Sequence, residues 1–170
     1  MRWWGNAKET LMHPTSHDLS KQVRQSMCGL LQANLADGID LAYHLKQAHW
    51  TMRGPNFIGL HELLDTLHEQ VEGQVDLVAE RIQVLGGQAE GTVTVSAENS
   101  RLPKYPLKAV SPDDHIAATA KSIAAYAKNI RKAIEEASEA GDEGTADLFT
   151  EIVRTADRAL WFIEAHKPAK

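Results

Sequence analysis

His61 and Asp65 stand four residues apart in the chain, and so do Asp76 and Glu80. On an α-helix, at about 100° and 1.5 Å per residue, each pair lies one turn apart on one face. The step from Asp65 to Asp76 turns such a helix by about 1100°, within ~20° of three whole turns, so both pairs share that face. Along the axis they are about 16 Å apart, too far for one metal ion whose ligands sit at about 2.0–2.6 Å. The pairs serve together only if a second copy of the helix lies antiparallel beside the first. A two-fold axis near Gln70–Val71 then sets His61 against Glu80 and Asp65 against Asp76, giving two mixed nitrogen and carboxylate sites at a dimer interface. Histidine and carboxylates with open positions suit Fe(II) or Zn(II) better than Ca(II) or Mg(II). An amphipathic helix also carries such side chains merely to face solvent. The spacing alone leaves both readings standing.

Two single-chain alternatives fit less well. His61-Glu62-Leu63-Leu64-Asp65 resembles the zinc-protease pattern H-E-x-x-H with aspartate in the last place, but it leaves Asp76 and Glu80 without a role. A di-metal site built inside one bundle uses Glu-x-x-His on two helices, and the sequence has no Glu-x-x-His. His68 forms an Asp-x-x-His pair with Asp65 but is otherwise expected at the surface, as are His13, His17, His44, His115 and His166.

The helix that carries the pairs is the clearest in the chain. Leu60, Leu63, Leu64, Leu67, Val71, Val75, Val78, Ile82 and Leu85 advance mostly in steps of 3 and 4 and stop at Gly86-Gly87. Asn56 is the expected cap at its start. Before it, residues 18–50 lack proline and place Val23, Met27, Leu30, Leu31, Leu41 and Leu45 near helical spacing. Residues 88–111 read as a long connection, with β-branched Thr92-Val93-Thr94-Val95 followed by Pro103, Pro106 and Pro112. A third helix opens at Ser111-Pro112-Asp113-Asp114, and a fourth spans 145–165 after Gly141–Gly144. The expected fold is all-α: a four-helix bundle of ferritin-like connectivity, with a long crossover between helices 2 and 3. The bundle spans 18–165, between an N-terminal tail, 1–17, and a short C-terminal tail, 166–170.

The chain has 170 residues, 43% of them hydrophobic and 24% charged, which fits one globular domain and excludes wholesale disorder. No apolar run is long enough to span a bilayer, and the opening residues lack the apolar stretch of a secretory signal. The single Cys28 cannot form an internal disulfide. These features predict a protein of the cytoplasm. The net charge is -5, divided as +2 over 1–24, -8 over 25–159 and +1 over 160–170. An acidic body attracts cations and repels nucleic acid.

Lys46-Gln47-Ala48-His49-Trp50, Arg53-Gly54-Pro55-Asn56-Phe57, Leu60-His61, Asp65, Asp76, Ala79-Glu80-Arg81 and Leu85-Gly86-Gly87 resemble the Dps proteins, the mini-ferritins of bacteria. The likeness continues through Tyr105-Pro106-Leu107 and Leu160-Trp161-Phe162-Ile163-Glu164, covering about 25–165. The resemblance implies a homododecameric hollow shell with ferroxidase activity. Such a shell oxidises Fe(II), preferably with hydrogen peroxide and otherwise with oxygen, stores Fe(III) mineral, and so protects DNA from oxidative damage. It also implies a site shared across a two-fold interface, with His49 and His61 from one subunit, Asp76 and Glu80 from the other, and Asp65 as a ligand or its neighbour. Zn(II) would fit the same site. Trp50 corresponds to a tryptophan that can intercept radicals, Glu62 to a mineral-nucleating position, and Asp142, Asp147 and Glu151 to an acidic pore. The alternative is a nucleoid structural protein that shields DNA by direct binding. The ends depart from the lysine-rich tails of DNA-binding members, so DNA binding is expected to be weak; Trp3-Trp4 is an opening without a parallel in that pattern.

Overall fold

The computed structural model describes residues 11–167; Trp3-Trp4 lies outside them. Among the described residues there are five helices and no strand: α1 (Lys21–Thr51), α2 (Phe57–Val84), α3 (Val93–Asn99), α4 (Pro112–Glu139) and α5 (Glu143–Glu164). α1, α2, α4 and α5 form the expected four-helix bundle. No helix is long and apolar enough to cross a membrane.

Capping residues set most boundaries. Ser20 accepts from the Val23 amide, Ser111 from Asp114 with Pro112 in the first turn, and Asp142 from Thr145. Asn56 differs from expectation. It occupies the cap position of α2 in a left-handed conformation, φ 60°, and its side chain makes no capping bond. The crossover also holds a helix that the β-branched run did not suggest. Thr92 caps α3 by accepting from the Val95 amide, and α3 packs on α1 with Ser96 buried, so tertiary contact outweighs propensity.

Three anchors fix the topology. The Arg53 amide donates to the Val110 carbonyl at 3.0 Å, so α4 begins beside the α1–α2 turn. Arg81, near the end of α2, donates to Asp142 at the start of α5 at 2.7 Å. α2 and α4 are therefore parallel. α1 packs on α2 and α4, and α5 packs on the same two helices, which leaves α2 and α4 on one diagonal of the bundle. The core lies between the four helices, around Leu31, Leu45, Leu64, Ile123, Tyr126 and Phe149. Two glycines let backbones close up. A Cβ at Gly38 would sit 3.0 Å from Val75 Cγ2, and one at Gly87 would sit 2.6 Å from Cys28 Sγ.

The crossover is held by the third anchor, a buried carboxylate. Asp37, with no exposed side-chain surface, accepts from the Arg101 amide at 2.7 Å, from Arg101 Nη2 at 2.7 Å and from Asn129 Nδ2 at 2.8 Å. Next to it, Asp40 accepts from Ser100 Oγ at 2.5 Å. Burial pushes the Asp40 carboxyl up, but hydrogen bonds from His44 and Ser100 outweigh it and hold the group below its ordinary range.

Three histidines expected at the surface are buried instead: His44, His68 and His115. Each has hydrogen-bonding groups that offset the cost of burial. His44 lies between Ser122 Oγ at 3.0 Å and Asp40 at 3.3 Å, and His68 between the Ala42 carbonyl at 3.0 Å and Glu72 at 3.3 Å. His115 meets the Tyr105 hydroxyl at 2.8 Å, and burial lowers its pKa. His13 and His166 are exposed and His17 is half-buried.

Asp37→Ala leaves the Arg101 guanidinium and two donors without their acceptor. Because Arg101 is partly exposed and can regain water, the expected loss is about 2–3 kcal/mol rather than the full cost of a stranded buried charge. Urea unfolding at fixed protein concentration measures it. Amide exchange should rise first in the crossover, around residues 92–102.

Candidate metal centre

The α1–α2 turn is short, so the last turn of α1 faces the first turns of α2. His49 and His61 meet there. His49 Nδ1 lies 2.9 Å from the His61 carbonyl oxygen, and His61 Nδ1 lies 3.0 Å from the His49 carbonyl oxygen. The rings stack with centroids 3.6 Å apart and planes 18° from parallel. A carbonyl can only accept, so each Nδ1 carries the proton and donates it. In the neutral imidazole each Nε2 then keeps its lone pair. Each histidine thus fixes the tautomer of the other and leaves each ring one nitrogen able to accept. Phe57 flanks them, its ring 4.9 Å from that of His61.

Asp65 follows one turn after His61 and pairs with Lys46 of α1. The hydrogen bond from Lys46 holds its carboxyl below the usual carboxylate range. Asp76 and Glu80 lie further along α2, exposed and without an ion pair or hydrogen bond to any described residue. Asp76 borders a depression between α1 and α2 lined by Leu35, Ile39 and Val75. The structure therefore brings His49, His61 and Asp65 to one end of α2 and leaves Asp76 and Glu80 apart. Among the described residues no group of three or more histidine, cysteine, aspartate or glutamate side chains converges within one chain.

Exposed apolar side chains also stand at both helix ends. Trp50 is 63% exposed beside His49, and Ile58 is 59% exposed at the start of α2. Along α2 the acids form a longer row than sequence reasoning recognised. Glu62, Asp65, Glu69, Glu72, Asp76 and Glu80 advance in steps of 3 and 4, and Arg81 is the one basic residue of α2. Glu69 and Glu72 were missed, although the same helical step that revealed the apolar stripe was available to find them.

The pore residues separate into two groups. Asp142 is 2% exposed; it caps α5, accepts from Thr145 Oγ1 at 2.5 Å and pairs with Arg81. The expectation of an open pore acid fails for Asp142, because the helix start and the arginine occupy its carboxylate. Asp147 and Glu151 are exposed one turn apart on α5.

A family model described as a ferritin-like domain matches residues 28–167. The DNA protection during starvation protein of Agrobacterium fabrum is 42% identical over 158 residues, which cover 93% of this chain and 98% of that one. The protein of the same name from Mycolicibacterium smegmatis is 33% identical over 148 residues, covering 87% and 80%. Among solved structures, Mycobacterium smegmatis Dps in a tetragonal form superposes with a TM-score of 0.87 at 32% identity, covering 92% of this chain and 96% of that one. DpsC from Streptomyces coelicolor gives 0.87 at 31% identity, covering 94% and 95%. With the bundle, the crossover and the paired histidines in place, these likenesses make the chain a member of the Dps family of ferritin-like proteins.

Proposed function

We propose that this protein is a ferroxidase and iron store, and that its oxidation site forms only where two subunits meet. The observation that carries this reading is the reciprocal lock of His49 on α1 and His61 on α2, which leaves each ring one nitrogen to offer at the start of the helix that also bears Asp76 and Glu80, both without a partner among the described residues. A two-fold partner running antiparallel along α2 supplies the carboxylates. Fe(II) is the substrate and Zn(II) a competitor for the same donors.

Each group then has a part. His49 and His61 bind without releasing a proton, and Asp76 and Glu80 offset the charge that grows as Fe(II) becomes Fe(III). Asp65 joins them when a cation displaces Lys46. With hydrogen peroxide, two Fe(II) give up one electron each; the O–O bond breaks and, with two protons, two waters form. Trp50, beside the site, offers an electron if a one-electron oxidant escapes. The row of acids along α2, Glu62 among them, draws Fe(III) onto one face where mineral can begin. A homododecameric shell encloses that face and keeps the oxidant away from DNA.

Mixing two crippled subunits tests the shared site. One carries His49→Ala with His61→Ala, the other Asp76→Ala with Glu80→Ala. Each alone is expected to assemble, as judged by light scattering, and to oxidise Fe(II) poorly. Random mixing makes half of the dimers mixed, each with one intact site of two, so roughly a quarter of wild-type activity returns. Proven mixed shells without recovery overturn the shared site, and particles that remain monomeric overturn the shell.

Entry is tested on α5. Asp147→Asn with Glu151→Gln is expected to slow iron uptake severalfold at limiting Fe(II), without change at saturating Fe(II), because the acids concentrate cations at the entrance. Asp142→Asn instead weakens the start of α5, costing about 1–3 kcal/mol in urea unfolding. An unchanged uptake rate in the first variant removes Asp147 and Glu151 from the entry path.

A further inference from the structure

Between Asp114 and Glu135, α4 contains no acidic residue, although the chain as a whole has a net charge of -5. The exposed positions over that stretch are Ala117, Lys121, Ala124, Lys128, Arg131 and Lys132. On the helix, Lys121, Lys128 and Lys132 fall within about 40° of one line and extend over about 16 Å. Arg131 pairs with Asp157 at 2.5 Å and Lys132 with Glu136 at 3.4 Å. Lys121 and Lys128 have no ion pair or hydrogen bond to any described residue. The alanines between them leave room for a broad surface to come close.

This face is the counterpart of the acidic row. Between Asp114 and Glu135 α4 carries four basic residues and no acidic one, its own acids being confined to the two ends of the helix, whereas α2 carries six acidic and one basic, net -5. α2 and α4 lie on one diagonal of the bundle, so their exposed faces point in opposite directions. A ligand on the α4 face is separated from the α2 acids by the whole core. The net charge of the chain thus hides a strongly divided surface.

We propose that this face of α4 is a docking surface for the phosphate backbone of duplex DNA, and that it, rather than the chain ends, carries the protein's DNA affinity. Duplex DNA presents one negative charge per about 1.7 Å of axis, so a straight row of ammonium groups meets phosphates at any sequence and releases counterions. The face offers flexible lysines between short alanines, and ammonium groups that settle on phosphates position the duplex without reading its sequence. The acidic remainder of the chain opposes the contact and makes it strongly dependent on salt. Assembly is not required, but several copies of the face on one particle would strengthen attachment through effective concentration.

The test is fluorescence polarisation of a labelled duplex, titrated with the full chain over a range of salt. Lys121→Glu with Lys128→Glu reverses the face. Arg2→Gln, Lys8→Gln, Lys167→Gln and Lys170→Gln together neutralise the ends and leave the face intact. The unaltered protein is expected to bind at about 50 mM salt and to release by about 150 mM. The face variant should bind at least about tenfold more weakly, with a shallower salt slope, and the end variant within about threefold of the original. Lys121→Arg with Lys128→Arg should restore binding. A face variant that binds like the original, an end variant that loses binding, or an original protein that does not bind at about 50 mM salt overturns the proposal. So does a face variant whose particle mass falls in light scattering, because the face is then a contact between subunits.

Discussion

A carboxylate without exposed surface is tolerable only while its partners are in place, and Asp37 draws its partners from the crossover and from α4. Arg101 brings both its amide and its guanidinium, so the chain that leaves α2 is fixed against α1 along its route. With the crossover held there, α4 starts beside the α1–α2 turn, where the Val110 carbonyl accepts from Arg53. That makes α2 and α4 parallel and diagonal. A tight hairpin in place of the crossover would make them antiparallel neighbours, and the α2 acids would face the α4 lysines. Their mutual attraction would neutralise both. The buried pair therefore helps to hold the acidic row of α2 and the basic stretch of α4 on opposite sides of the bundle.

At the α1–α2 turn the constraint is more local. Two histidines that each donate to the other's carbonyl cannot move independently, and neither can reverse its tautomer without losing a bond of about 1 kcal/mol. The acids around them are in different states. Asp65 is neutralised by Lys46, whereas Asp76 and Glu80 have no described partner. One chain thus exposes a nitrogen pair at one end of α2 and, toward the other, a carboxylate pair without a described partner, and the fifteen residues from His61 to Asp76, about 22 Å of helix, keep them apart. A second copy is the simplest way to join them.

The bundle was legible because its signals are local. The stripes of α2, α4 and α5, the cap at Ser111 and the Gly86-Gly87 stop are each read within a few residues. The spacing of His61, Asp65, Asp76 and Glu80 was legible for the same reason. His49 was not, because its relation to His61 is set by the turn between two helices, and it came from family resemblance instead. α3 was missed because its packing on α1 outweighs β-branched propensity. His44, His68 and His115 were misplaced because their partners, such as Ser122, the Ala42 carbonyl and Tyr105, become neighbours only in the fold. Burial of a polar residue depends on partners, and partners distant in the sequence leave no periodic trace.

Asp142 shows the same point from the other side. Its residue type and its place at a helix start agree with a pore acid, yet Arg81 reaches it across the bundle. Gly144 makes room, since a Cβ there would lie 2.9 Å from Arg81 Nη2. This pairing does more than close the side of the bundle between α2 and α5. Arg81 follows Glu80 directly and is the one base on α2. Turned toward Asp142, its charge is used at a buried carboxylate and does not neutralise Glu80. Adjacent positions on a helix point about 100° apart, so Arg81 serves the buried carboxylate while Glu80 stays exposed without a partner among the described residues.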